Sequence, residues 1–295
     1  WKRANQMSYE HPISQQRVCF IGAGSMAEAI IRGLIQKELM PSNQIYAINR
    51  SRPEVLDQLH RQYDIQVTSE PGERKEIVRQ ANVIVLAVKP KDAKSALQEF
   101  HGQLQPQQCM ISVMAGMSIA TLTSLLPVPM PIIRTMPNTS SAIGKGVTGL
   151  SFSSHVTENM RAIAQEIFKS VGEVITVDET QLELITGLTG SGPAYIYHMM
   201  EAMTSIAIEE GLPAEAAKKL VAQTVLGAAE MVLQTGEEPS ALRNKVTSPG
   251  GTTEAALKLM QERNFQDTVK AAVLRSAEKA AEIGKELSQA YSNKK

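Results

Sequence analysis

Apolar positions along this chain keep two rhythms. Up to about Asp178, short and nearly continuous apolar runs alternate with longer stretches whose apolar residues recur at helical spacing. The runs predict strands over 18–21, 44–48, 66–68, 82–88, 110–114, 131–134, 147–152 and 174–177, and the periodic stretches predict helices over 25–38, 53–63, 73–80, 118–125 and 156–169. The run 82–88 is almost wholly apolar, as a central parallel strand covered on both faces should be. Such alternation implies an α/β fold, a doubly wound parallel sheet of Rossmann type with right-handed crossovers. Beyond Asp178 the strand signals vanish. Helix formers with Ala- and Met-rich stripes predict helices over 180–187, 193–210, 213–235, 239–246, 253–263 and 265–289, punctuated by Gly211-Leu212-Pro213 and Gly236 to Pro239. Apolar stripes such as Ile206/Leu212 and Val221/Val225/Val232 fit a helical core or, on balance, an all-α dimerisation domain. The expected division is a polar extension over 1–16, a dinucleotide-binding domain over 17–178 and a helical domain over 179–295.

The sharpest local signal lies where the first strand meets the first helix. An apolar run enters Gly22-Ala23-Gly24-Ser25-Met26-Ala27, and helix-favouring sequence leaves it. Gly-x-Gly-x-x-Ala in this setting seats a dinucleotide pyrophosphate. Gly22 permits the turn, Gly24 lets backbone approach phosphate, and Ala27 lets the helix lie close on the strand. The amides of Ser25 and Met26, at a helix start without intrahelical partners, face the anion.

The second strand ends in Asn49-Arg50-Ser51-Arg52, where a site for NAD normally carries an acid for the ribose 2′-hydroxyl. Here no carboxylate is present, and Arg50 or Arg52 offers a planar fork to a 2′-phosphate. NADPH is favoured on that ground, although the arginines could simply open a solvated helix. Asn49 and Ser51 could still bond two hydroxyls, so NADH use stays open. Two further loops leave strand carboxyl ends, where ligands of open α/β sheets collect: Ala87-Val88-Lys89-Pro90, and Arg134 to Ser140. Lys89 is a candidate cofactor contact, and Asn138 a candidate amide beside the nicotinamide.

Composition changes the picture only by exclusion. Thirty basic and thirty acidic residues among 295 leave no net charge, so nothing argues for nucleic acid as a partner. No apolar run approaches the ~20 residues a bilayer requires. The polar first 16 residues lack the apolar middle of a signal peptide; the chain starts at Trp1, and Met7 is a candidate initiator. Cys19 and Cys109 fall in predicted buried strands at no metal-ligand spacing, which reads as core thiols in a reducing, cytoplasmic setting.

In the helical half, Ser248-Pro249-Gly250-Gly251-Thr252-Thr253 precedes a predicted helix. Bare amides, hydroxyls and a positive helix end suit a small carboxylate, with Thr252 or Thr253 as cap, although a purely structural cap has the same look. His198 reads as a core or interface imidazole. Tyr195 and Tyr197 could edge a pocket, and Glu201, Glu209 and Glu210 fit a solvated helix face. The remaining histidines share no ligand spacing, and no metal site is expected.

GAGSMA (22–27), AVKP (87–90), RTMPNT (134–139), GLTGSGPAY (187–195) and SPGGTT (248–253) occur in this order along the chain. With them the chain resembles the pyrroline-5-carboxylate reductase family from about Arg17 to Leu287. The resemblance implies reduction of 1-pyrroline-5-carboxylate to L-proline with NADPH or NADH, and a helical C-terminal domain interlocked with its twin in a homodimer or larger homo-oligomer. It implies a substrate held at a subunit interface between the nicotinamide and the loop matching SPGGTT. Carried over by position, Thr253 would bond the ring nitrogen, and Ser248 with the backbone of Gly250, Gly251 and Thr252 would hold the carboxylate. A β-hydroxyacid dehydrogenase would share this layout but place a lysine about one turn into the first long helix after the glycine-rich start, where Gly190 to Tyr197 has none. A non-catalytic, nucleotide-binding relative should have lost parts of the 248–253 loop, which is intact.

Overall fold

A computed structural model describes residues 11–292; the candidate initiator Met7 lies outside the described residues. Eight strands form one sheet: β1 (Val18–Ile21), β2 (Ile45–Ile48), β3 (Gln66–Thr68), β4 (Val83–Leu86), β5 (Cys109–Ser112), β6 (Ile132–Met136), β7 (Gly146–Phe152) and β8 (Gly172–Thr176), in the order β3-β2-β1-β4-β5-β6-β7-β8. β1, β4 and β5 are buried along their whole length, because helices cover both sheet faces. One face carries Ile30, Leu34, Leu56, Ile167 and Phe168, from α1 (Ser25–Gln36), α2 (Pro53–Tyr63) and α6 (Glu158–Lys169). The other carries Val78, Leu97 and Leu122, from α3 (Pro71–Gln80), α4 (Ala93–Glu99) and α5 (Ile119–Leu125).

Two features depart from the sequence pattern. The sheet is parallel except that β6 and β7 pair antiparallel. Their connection, 137–145, is too short for the crossover that a parallel pair demands. In addition, α4 was not expected from periodicity; as a seven-residue helix with only Ala93 and Leu97 buried, it writes too sparse a stripe.

The chain divides into two compact units: the described residues up to Gly190 together with those from Ser276, and Ser191–Arg275. The helical character that begins after Asp178 therefore starts inside the first unit. Leu182 and Ile185, in α7 (Leu182–Ile185), pack so closely on Gly149 of β7 that a Cβ there would meet them at 2.9 and 3.1 Å. The last helix, α12 (Phe265–Ser292), also ends in the first unit, where Leu287 and Tyr291 join the apolar cluster on the second sheet face.

The second unit holds α8 (Gly192–Glu209), α9 (Ala214–Thr235), α10 (Pro239–Lys245), α11 (Thr252–Glu262) and the start of α12. Gly211 and Gly236 close α8 and α9 with positive φ, and Pro239 opens α10. The unit has almost no interior. Ala217 and Val221 are its only buried hydrophobics among the described residues, whereas Ile206, Leu226 and Leu233 are 53%, 50% and 80% exposed.

Candidate active site

A cleft of about 710 Å³ opens at the carboxyl ends of β1, β2 and β4. It falls within the ordinary range for ligand sites. Gly22, Gly24, Ser25, Met26 and Ala27 line it from the β1–α1 turn, Asn49, Arg50, Ser51 and Arg52 from the end of β2, and Ala87, Val88 and Lys89 from the end of β4. The turn is closed by backbone: the Gly22 amide donates to Ile48 O (3.0 Å), and Ala87 N donates to Ile21 O (2.9 Å). Gly22 has φ +102°, and a Cβ there would lie 2.5 Å from Ala87 O, so only glycine fits. A Cβ on Gly24, by contrast, would meet nothing within 4 Å.

α1 starts at Ser25 behind Gly24, with no side-chain cap. Its first amides thus stay available to an anion, at the positive end of the helix dipole. Arg50, Arg52, Lys89 and Lys91 surround the opening, and Asn49 Oδ1 shapes the β2 loop by accepting from Ser51 N (3.0 Å). An uncapped helix start, open space at Gly24 and several cations suit the phosphates of a dinucleotide. The reactive ring is not needed to make that fit.

Two expected cofactor contacts do not line this cleft. Asn138 is buried and its amide is used within the fold, donating from Nδ2 to Thr189 O (3.0 Å) and accepting at Oδ1 from Val147 N (3.1 Å). It ties the β6–β7 connection to β7 and to the π-turn Thr186–Gly190 and does not line the cleft. Pro90 is likewise absent from the lining, and its carbonyl accepts from the Tyr291 hydroxyl on α12. Conversely, Arg74, Lys91, Ser95 and Glu99 line the cleft without having been singled out by sequence. No motif marks them, since they lie on α3, on α4 and in the turn before α4, short segments without a ligand-binding pattern.

In the helical unit the 248–253 loop forms a tight turn onto α11. Gly251 N donates to Ser248 O (2.9 Å), and Gly250 takes φ +70°. The cap of α11 is Gly251 and not Thr252 or Thr253, because the turn makes Thr252 the first helical residue. The helix start therefore has no side-chain cap, and Ser248, Gly250 and Thr252 are exposed. The Gly250 amide donates to the Glu254 carboxylate (2.7 Å), so a carboxylate of the chain already rests on this turn.

Other candidates resolve into structural roles. His198 is 88% exposed and pairs with Glu201 (3.4 Å), which removes the core reading and leaves a surface or interface imidazole. His60 and His101 bond the carbonyls of Ile65 (2.8 Å) and Leu125 (3.2 Å). Cys19 and Cys109 are buried free thiols, and burial pushes both upward, Cys109 to about 12. Among the described residues no three His, Cys, Asp or Glu side chains are grouped to hold a metal, and no helix is long and apolar enough to cross a membrane.

Residues 179–283 match the family described as pyrroline-5-carboxylate reductase dimerisation, and 17–116 match the family described as NADP oxidoreductase, coenzyme F420-dependent. Pyrroline-5-carboxylate reductase 1 of Bacillus subtilis (strain 168) is 38% identical over 92% of this chain and 91% of its own length. Among solved structures, a pyrroline-5-carboxylate reductase of Coxiella burnetii superposes with a TM-score of 0.85 at 37% identity, covering 91% of this chain and 98% of the other. Plasmodium falciparum pyrroline carboxylate reductase with NADP bound gives 0.81 at 27% identity, covering 92% and 99%.

Proposed function

The chain belongs to the pyrroline-5-carboxylate reductase family, and from that premise we infer that it reduces 1-pyrroline-5-carboxylate to L-proline with a reduced nicotinamide cofactor, the last step of proline synthesis. The observation that carries the reading at the site is the cleft that gathers Gly22–Ala27, Asn49–Arg52 and Ala87–Lys89 around one uncapped helix start. When bound, the reduced nicotinamide supplies the hydride. The amides of Ser25 and Met26 face the pyrophosphate, and Lys89 adds charge on the other side. Arg50 and Arg52 grip a 2′-phosphate, which makes NADPH the preferred cofactor and NADH the weaker one.

Reduction of a cyclic imine consumes one hydride and one proton. The imine nitrogen is basic enough to bring its proton from water, so the protein has to position more than to protonate. Ser248 and the backbone of Gly250, Gly251 and Thr252 hold the substrate carboxylate, which takes the place of Glu254 on the Gly250 amide, and Thr253 accepts from the protonated ring nitrogen. Orientation of this kind leaves no need for a lysine, and α8 has none along its length, which disfavours the β-hydroxyacid dehydrogenase reading. The exposed apolar faces of the second unit support assembly as a homodimer or a dimer-based oligomer. Free thiols at Cys19 and Cys109 agree with a reducing, cytoplasmic setting.

The test is NADPH consumption on adding 1-pyrroline-5-carboxylate, with L-proline identified as product. Turnover supports the reductase. NADPH binding without turnover would leave the regulatory relative, and no binding would overturn the dinucleotide reading.

A further inference from the structure

α3 presents only two buried positions to the sheet, Arg74 and Val78. An arginine in such a place is costly unless paired. Arg74 pairs with Glu99 of α4, Nη2 to Oε1 at 2.8 Å and Nη1 to Oε2 at 3.4 Å, with the side chains 7% and 19% exposed. The pairing is incomplete. Arg74 Nε is buried without a hydrogen-bond partner, and Glu99 Oε1 meets the arginine as an ion pair but out of hydrogen-bond alignment. Two apolar side chains of similar volume would serve the core as well or better, so stability does not account for the pair.

Its position does. Arg74 and Glu99 both line the cleft, together with Ser95, Ala96 and Phe100. In this fold the glycine turn takes the pyrophosphate and the end of β2 the adenosine ribose. The base then lies beyond the ribose, in the part of the cleft walled by α3 and α4. We propose that the Arg74–Glu99 pair reads the adenine base, Arg74 fixing the Glu99 carboxylate so that it accepts a hydrogen bond from the exocyclic amino group. The inference rests on the dinucleotide reading of the cleft. It makes Glu99 a specificity residue and Arg74 a positioning residue. A hypoxanthine base, with a carbonyl at that place, would set oxygen against carboxylate and leave the pair unsatisfied.

The experiment is calorimetric binding to the full chain of three ligands: NADPH, its hypoxanthine analogue, and reduced nicotinamide mononucleotide, which lacks the adenosine. The unaltered protein should bind the hypoxanthine analogue about 10- to 100-fold more weakly than NADPH, the range of one hydrogen bond to a charged group. Glu99→Gln, which can both donate and accept, should close most of that gap while leaving the mononucleotide affinity unchanged. The paired replacement R74M/E99M, which strands no buried charge, should close it too, with folding checked by thermal unfolding. Equal binding of the two dinucleotides by the unaltered protein, or a gap that survives Glu99→Gln, would overturn the proposal while the dinucleotide reading stands. If the unaltered protein binds neither NADPH nor the mononucleotide, the dinucleotide reading falls and the proposal with it.

Discussion

The two units solve the problem of burying apolar surface in opposite ways. In the sheet unit β1, β4 and β5 are inaccessible along their length and two clusters fill both faces, so the interior is complete within one chain. In Ser191–Arg275 an 18-residue helix, α8, has no buried residue, and α9 buries only Ala217 and Val221 over 22 residues. Helices this apolar do not stay in water uncovered. The contrast teaches that the first unit completes its interior within one chain, whereas the second, matched to a dimerisation family, leaves its apolar faces uncovered.

The sharpest way to break the comparison is a charge on the uncovered face. Leu226→Glu, half-exposed in the single chain, should abolish the oligomer and lower turnover by more than about 100-fold, since an unpaired charge in an apolar interface costs several kcal/mol. NADPH binding to the sheet unit should survive. Light scattering and calorimetry read the two effects separately, and a stable, active monomer would defeat the interface account. Next in size, Thr253→Ala should lower kcat about 10- to 100-fold with cofactor affinity nearly unchanged, as steady-state kinetics would record. Within the sheet unit, Arg50→Ala with Arg52→Ala should raise KM for NADPH about tenfold and leave KM for NADH nearly constant; an unchanged ratio would reduce both arginines to surface charge. The smallest effect concerns the turn before α11. Because Glu254 already rests on the Gly250 amide, Glu254→Ala should lower KM for the substrate about 2- to 3-fold by freeing that amide.

The sheet unit was the more legible in sequence, for a physical reason. Strands covered on both faces write continuous apolar runs, and the Gly22–Ala27 turn needs glycine where backbone meets backbone at Ala87. The antiparallel entry of β7 was not legible in strand composition, which carries no direction; only the shortness of 137–145 points to it. Asn138 was ambiguous for a related reason: a polar side chain at a strand end suits a ligand or a turn equally, and here both ends of its amide are bonded within the fold. Arg74 and Glu99 were invisible because half of the positions of α3 are charged, and only packing distinguishes buried Arg74 from Arg79, which pairs with Glu76 at the surface. In the helical unit the helices were legible and their partner was not. An apolar stripe looks the same whether it meets its own chain or another copy, and the burial of Ala217 and Val221 alone could not be foreseen from periodicity.

The central claim, hydride delivery to a cyclic imine carbon, is tested most directly with NADPH deuterated at both C4 positions and unlabelled 1-pyrroline-5-carboxylate. The account predicts L-proline carrying one deuterium, at C5, by mass spectrometry. Proline without deuterium, or no proline from protein that binds NADPH, would contradict it.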